Sequence, residues 1–195
     1  AVRNFSSPTA AELVGIAIAQ QELSLIKTMS VAENIFLAGD GVPQVASKGY
    51  LAKKAKPFLK EVGLDHIDPL RTTNRLSVGE QHLVEVARLI AHNPQVLILD
   101  EPTAALGETD SMRILEMVRR LKEAGKSVIY VSHRMDEIFK ICDRITVLRD
   151  GESEEARSAA GMDVNSLVEL MLGFELGEMY PKRKPVVRDE PILEV

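Results

Sequence analysis

Two apolar periodicities alternate along this chain. Over residues 50–62, Leu51, Ala55, Phe58, Leu59 and Val62 recur at three- and four-residue intervals, which predicts a helix with one apolar face. Pro57 lies inside that pattern and is expected to kink the helix or to mark its real start. Lys53, Lys54, Lys56 and Lys60 read as its solvated face, the alternative being a binding patch. A second helix is predicted over 79–92, with Leu83, Val86, Ala87 and Ile90 as its stripe and Asn93-Pro94 as its stop. Residues 96–99 form an unbroken apolar run, the pattern of a strand buried on both faces of a parallel sheet. A helix over 108–124 follows, with Ile114, Val118 and Leu121 inward and Gly125 at its C-cap. Then come a second buried strand at 127–131, a short helix at 134–142 and a third strand at 145–148, closed by Asp150-Gly151.

The flanks are less regular. Ser7-Pro8-Thr9 reads as the capped start of a short helix, 15–19 as a buried strand, 31–37 as a short helix and 40–49 as loop. Residues 163–172 predict a last helix, capped by Asp163 and stopped by Gly173. From 179 on, Pro181, Pro185, Pro191 and clustered charges read as a linker, with 192–195 opening a further strand. The strand–helix alternation over 94–151 marks an α/β domain with a parallel sheet. Residues 22–92 are mainly helical and look like a separate lobe.

Bulk properties narrow the class. A chain of 195 residues holds one ordinary domain, and 45% apolar with 27% charged residues is a globular balance. The net charge of −5 gives no electrostatic reason to expect nucleic acid as a partner. A single cysteine, Cys142, excludes an internal disulfide, and no apolar run can span a bilayer. The chain starts without Met, inside what reads as a folded segment, so it is expected to be a piece of a longer polypeptide.

Four short segments carry chemistry. The run Val96-Leu97-Ile98-Leu99-Asp100-Glu101-Pro102-Thr103 delivers two adjacent carboxylates at the C-terminal end of a buried strand, where α/β ligand sites form. Asp100 can hold Mg²⁺ directly or through water, and Glu101 can polarise a water for attack on a phosphoryl group. The alternative is an acidic strand end that caps helices. Leu76-Ser77-Val78-Gly79-Glu80-Gln81 stands directly before a helix, whose free N–H groups attract phosphate. The same residues also fit an ordinary capping box, with Ser77 as cap and Glu80 three residues on. Val131-Ser132-His133 places an imidazole just past an apolar strand. Gln20-Gln21-Glu22 places a neutral amide after another, where it can touch a metal-bound water. His66, His82 and His92 show no metal-ligand spacing and read as structural or surface residues.

In this order and rough spacing, the four segments resemble ABC-type ATPase domains. The chain is similar over nearly its whole length to the ATP-binding subunits of bacterial ABC importers for simple sugars, of the ribose, galactose and xylose type. The stretches that carry the resemblance are QQELSLIKTMSVAENIFLAG, LSVGEQHLVEVARLIAHNPQVLILDEPTAAL and VIYVSHRMDEIFKICDRITVLRDG. The resemblance implies a P-loop NTPase (RecA-like) α/β fold: a parallel sheet with an inserted α-helical subdomain. It implies a partial nucleotide-binding domain over 1–173, with the helical subdomain near 22–92 and the RecA-like part near 1–21 and 94–151. Residues 174–195 would then lead into a second nucleotide-binding domain. It makes Glu101 the catalytic base, His133 the switch histidine and Gln21 the Q-loop glutamine. Asp100 and Gln21 become metal-site residues, and Ser77, Gly79 and Gln81 the ABC signature that contacts ATP. The cofactors implied are ATP and Mg²⁺. The partners implied are membrane permease subunits, the second nucleotide-binding domain, contacted through paired closure, and indirectly a periplasmic or extracellular sugar-binding protein. Residues 21–39 would touch the permease, and the place implied is the cytoplasmic face of a bacterial membrane.

Three departures qualify this. Val78 stands where many ABC proteins have Gly, and Gly107 where many have the D-loop Asp; both read as subfamily marks. No GxxxxGK[ST] loop occurs anywhere in the sequence. In the family that loop, whose amides and lysine hold the β- and γ-phosphates, lies upstream, on a strand between those at 127–131 and 145–148. The sheet is therefore expected to be incomplete, with a gap or a compensating contact there, and this segment alone to be inactive. Two other readings are a soluble ABC-type ATPase of translation or DNA repair, and a non-catalytic remnant acting as a binding module.

Overall fold

The computed structural model describes residues 4–20, 23–37, 43 and 46–174. The chain divides into two compact units, Ala1–Cys142 and Asp143–Val195.

In the first unit a short helix α1 (Pro8–Glu12), capped by the Ser7 hydroxyl, leads into strand β1 (Ile16–Ala19). Helices α2 (Val31–Ile35) and α3 (Lys48–Glu61) follow, then α4 (Val78–Ala91), β2 (Val96–Asp100), α5 (Glu108–Glu123), β3 (Ser127–Val131) and α6 (Met135–Ile141). The α3 helix runs through Pro57 without restarting. Pro57 is on the exposed side of that helix, so the Lys53 carbonyl that loses its N–H partner can turn to water.

The three strands form a parallel sheet in the order β1-β2-β3. The register aligns Ala19 with Leu99 and Leu99 with Tyr130, so that all three strands end at one edge. Ala17, Ala19, Leu97 and Leu99 are buried on one face, with Val128 and Tyr130 packed against the same core. The opposite face is open. Ile98 is only half-buried, and Ile129 is 52% exposed. The expectation of strands buried on both faces is therefore corrected: both faces are apolar in sequence, and the described residues cover one. On its outer edge β3 has no strand partner among the described residues.

Helix α4 joins the layers. It packs on α2 and α3 and also on β1 and α5. Leu83, Val84, Val86, Ala87 and Ile90 are all buried, so its apolar surface is wider than a single stripe. Ile35, Leu59, Leu83, Leu99, Ile114 and Leu121 belong to one continuous core cluster. The helices from 22–92 thus share their core with the sheet.

The second unit replaces the expected third parallel strand with antiparallel pairs. Strands β4 (Arg144–Ile145), β5 (Leu148–Arg149), β6 (Glu152–Ser153) and β7 (Arg157–Ser158) pair as β4-β7 and β5-β6. Asp150 (φ 53°) and Gly151 (φ 82°) both adopt left-handed backbone between β5 and β6, the two-residue turn that sends a strand back on itself. Helix α7 (Val164–Leu172) follows, capped by the Asp163 carboxylate accepting from Ser166 N–H at 2.7 Å and ended by Gly173 in the left-handed region. The linker expected over 174–195 lies, apart from Phe174, outside the described residues, as does the strand expected at 192–195.

One-sided burial makes a direct prediction. Leu99→Ala should cost about 2–5 kcal/mol of unfolding free energy, whereas Ile129→Thr on the open face should change it by less than about 1 kcal/mol. Chemical denaturation of the two variants checks this, and equal losses would place both residues in a closed core.

Candidate functional site

The parallel register concentrates chemistry at the C-terminal edge of the sheet. Asp100 is level with Val131. Its carboxylate makes no hydrogen bond or ion pair with the described residues. The next residue turns sharply: Glu101 has φ 45°, a left-handed conformation that costs a side-chain-bearing residue about 1–3 kcal/mol. Its backbone N–H donates to Val131 C=O at 3.0 Å, which ties the turn to β3. This conformation carries the Glu101 side chain across to the segment that follows β3, where His133 Nδ1 lies 3.0 Å from Glu101 Oε1. The two strand ends thus bring together the carboxylate and the imidazole singled out from sequence. In the neutral tautomer with hydrogen on Nδ1, the ring donates to the carboxylate and leaves Nε2 as an acceptor facing outward. The His133 side chain is 65% exposed and that of Glu101 31%, so both are accessible to a ligand.

Gln21 and Glu22, after β1, lie outside the described residues. The segment beyond them is firmly held. Ser24 N–H and hydroxyl both donate to Glu85 Oε1, at 3.2 and 2.5 Å, and Arg88 Nη2 reaches the same oxygen at 3.1 Å. Asn34, fully buried, donates to Ile26 C=O at 3.0 Å and accepts from Ile26 N–H at 2.7 Å, closing the loop before α2. These anchors hold the described part of 21–39 against α4.

The Ser77–Gln81 segment forms a complete capping box. Ser77 Oγ accepts from Glu80 N–H at 3.2 Å, and Glu80 Oε2 accepts from Ser77 N–H at 2.8 Å. Gln81 is buried and its amide donates to Leu76 C=O at 3.0 Å, so it braces the loop from inside. Val78 is half-exposed at the tip. Gly79 is needed for space: a Cβ there would run into the Asp110 side chain at the start of α5. No hydrogen bond or ion pair links Ser77 or Gly79 to Asp100, Glu101 or His133. The structure therefore presents two separate groups, an acid–imidazole cluster and a serine–glycine helix start. Burial pushes the Glu80 carboxyl up, but the Ser77 N–H and hydroxyl, together with His66, outweigh it and hold the group below its ordinary value. The Glu33 carboxyl is likewise held low, chiefly by the Ser30 hydroxyl, in a second capping box at α2.

Sequence reading missed a buried polar group beside the acid–imidazole cluster, formed by Thr103, Tyr130, Arg134 and Glu137. Its signal was weak: Glu137 belongs to a charged first helical turn that reads as solvent-facing.

A family profile described as ABC transporter matches residues 5–104. The ribose import ATP-binding protein of Chromobacterium violaceum is 45% identical over 182 residues, covering 91% of this chain and 36% of that protein. The protein of the same description from Bacillus subtilis is 40% identical, covering 95% and 38%. The chain thus spans little more than a third of the length of these relatives. Among solved structures, an ATP-binding cassette of an ABC transporter superposes with a TM-score of 0.70 at 22% identity, over 86% of this chain and 71% of that one. A dimeric cassette bound to ADP and Pi gives 0.65 at 28% identity, over 82% and 70%. The fold is that of these cassettes, an α/β P-loop NTPase domain.

Two tests follow from the helix start. Ala in place of a helical Gly ordinarily gains up to about 1 kcal/mol; Gly79→Ala should instead lower the melting temperature, because Asp110 occupies the space. Glu80 and Glu33 are depressed carboxylates, so their stabilisation is present above the unfolded glutamate pKa of about 4.3 and is lost as pH falls through the lower folded values. Melting curves from pH 7 downward should show the wild-type chain losing more stability than Glu80→Gln; parallel losses would remove this role from the box.

Proposed function

The chain belongs to the ABC transporter family, and on that premise we propose that it forms part of an ATPase subunit that couples ATP hydrolysis to import of a monosaccharide. The observation that carries this reading is the meeting of Glu101 and His133 beside an uncommitted Asp100 at one sheet edge. The similarity to ribose import proteins supports the sugar class.

In this reading Glu101 is the general base. Its carboxylate takes the proton of a water that attacks the γ-phosphorus as the bond to the bridging oxygen breaks and ADP leaves, and the His133 ring, carrying hydrogen on both nitrogens, donates Nδ1–H to that carboxylate and Nε2–H to a phosphate oxygen. Asp100 fits a Mg²⁺ ion, whose shell in nucleotide sites comes mostly from phosphate and water with one or two carboxylates. When bound, such an ion neutralises phosphate charge. Gln21 serves the same nucleotide as a sensor of the metal-bound water. Ser77, Gly79 and Gln81 belong to a helix start that covers the γ-phosphate held by a second nucleotide-binding domain, which accounts for its separation from Glu101.

The partners proposed are permease subunits, contacted through 21–39, and through them a sugar-binding protein outside the membrane. The place proposed is the cytoplasmic face of a bacterial membrane. Among the described residues no helix is long and apolar enough to cross a bilayer. The sequence lacks a GxxxxGK[ST] loop, so the 195-residue chain by itself neither binds ATP tightly nor hydrolyses it.

In a polypeptide that carries these residues together with a phosphate-binding loop, Glu101→Gln should lower kcat by about 10²–10⁴-fold and leave ATP binding intact. His133→Ala should also impair turnover with binding largely retained. Single-turnover hydrolysis and nucleotide titration measure both, and normal turnover in Glu101→Gln would refute the assigned base. Co-purification with a membrane permease separates the importer from a soluble ABC ATPase.

A further inference from the structure

The Glu101–His133 contact is too exposed to hold itself. Pairs at the surface contribute little to their own geometry, and Glu101 sits in a backbone conformation that relaxes unless its neighbours are fixed. Something buried must set the two loops. Two residues beyond Glu101, Thr103 is 1% exposed, and its hydroxyl donates to Glu137 Oε2 at 2.6 Å. The Tyr130 hydroxyl donates to the same oxygen at 2.7 Å. The Arg134 guanidinium, one residue after His133, pairs with Glu137 Oε1 at 2.8 Å and also reaches Ser111 Oγ at 3.2 Å on α5. Glu137 itself is 1% exposed. Burial pushes the Tyr130 hydroxyl well above its ordinary pKa, so it remains a donor across the physiological range.

We propose that Glu137 is a positioning residue: its buried carboxylate fastens the Thr103 loop, β3 and the head of α6 together, and so sets the distance between Glu101 and His133. This rests on the reading of Glu101 as the base, and it adds a residue that touches neither nucleotide nor water. A buried carboxylate held by two hydroxyl donors and the Arg134 guanidinium is costly unless all three are present. The cluster therefore has one arrangement, and both loops inherit it. Thr103 and Tyr130 act by their hydroxyls, not their bulk.

The test reads the geometry directly in the full chain. Only four histidines are present, so the His133 ring Cε1–Hε1 resonance is assigned by its loss in His133→Gln. In Thr103→Val, which keeps volume and removes the hydroxyl, this peak should move to the position it takes in Glu101→Ala. Tyr130→Phe should move it the same way, whereas Thr103→Ser, which keeps the hydroxyl and removes a methyl, should leave it in place. Leu59→Ala, a core truncation in α3, should lower the melting temperature and leave the peak unmoved. Glu137→Gln should act as Thr103→Val does; should it fail to fold, the hydroxyl variants decide. The proposal is overturned by an unmoved peak in Thr103→Val and Tyr130→Phe, by an equal shift in Thr103→Ser, or by the same shift in Leu59→Ala. A lack of hydrolysis in the loop-containing polypeptide would sink the ATPase reading and leave this outcome unaffected.

Discussion

The parallel register between β2 and β3 is the constraint on which the site depends. It sets Asp100 level with Val131, and the bond from Glu101 N–H to Val131 C=O extends that register one residue beyond the strand. A slip by one residue would turn every side chain of β2 to the other face. Leu97 and Leu99 would then leave the core, and Asp100 would enter it unpaired. The hydrophobic pattern that buries two leucines is thus also what keeps a carboxylate at the rim.

Around that edge the fold separates two kinds of polar group. Glu101 and His133 are exposed and strained or weakly paired, while Glu137, Thr103 and Glu85 are buried among close partners. Exposed groups are available to a ligand but cannot fix their own positions. Buried ones are the reverse. Thr103 and Arg134 lie within two residues of the exposed pair, so a buried cluster stands directly beside an exposed one. The loop after β1 uses the same device, with Ser24 tied to Glu85 on α4.

The open face of the sheet shows how far pattern and packing can part. Ile18, Ile98 and Ile129 lie side by side across the three strands, and their composition is that of a strand covered on both sides. Apolar identity records what a face is suited to touch, and only packing shows what it does touch. The same limit explains the third strand. Residues 145–148 have strand composition, yet the left-handed pair Asp150-Gly151 turns the chain back, so short antiparallel pairs form in place of another parallel strand.

Local chemistry in the sequence by itself determined the helices from their 3.6-residue stripes, the caps at Ser7, Ser77 and Asp163, the stops at Gly125 and Gly173, and the strands at β1, β2 and β3. It also marked Asp100, Glu101 and His133, because carboxylates and an imidazole just past apolar strands are conspicuous within a few residues of chain. Tertiary structure alone decided the 3.0 Å meeting of Glu101 with His133, the close packing of Asp110 over Gly79, the continuous core running through α4, and the burial of Glu137. Each of these joins residues far apart in sequence, and which partner a side chain finds across the fold depends on register and packing that no local window contains.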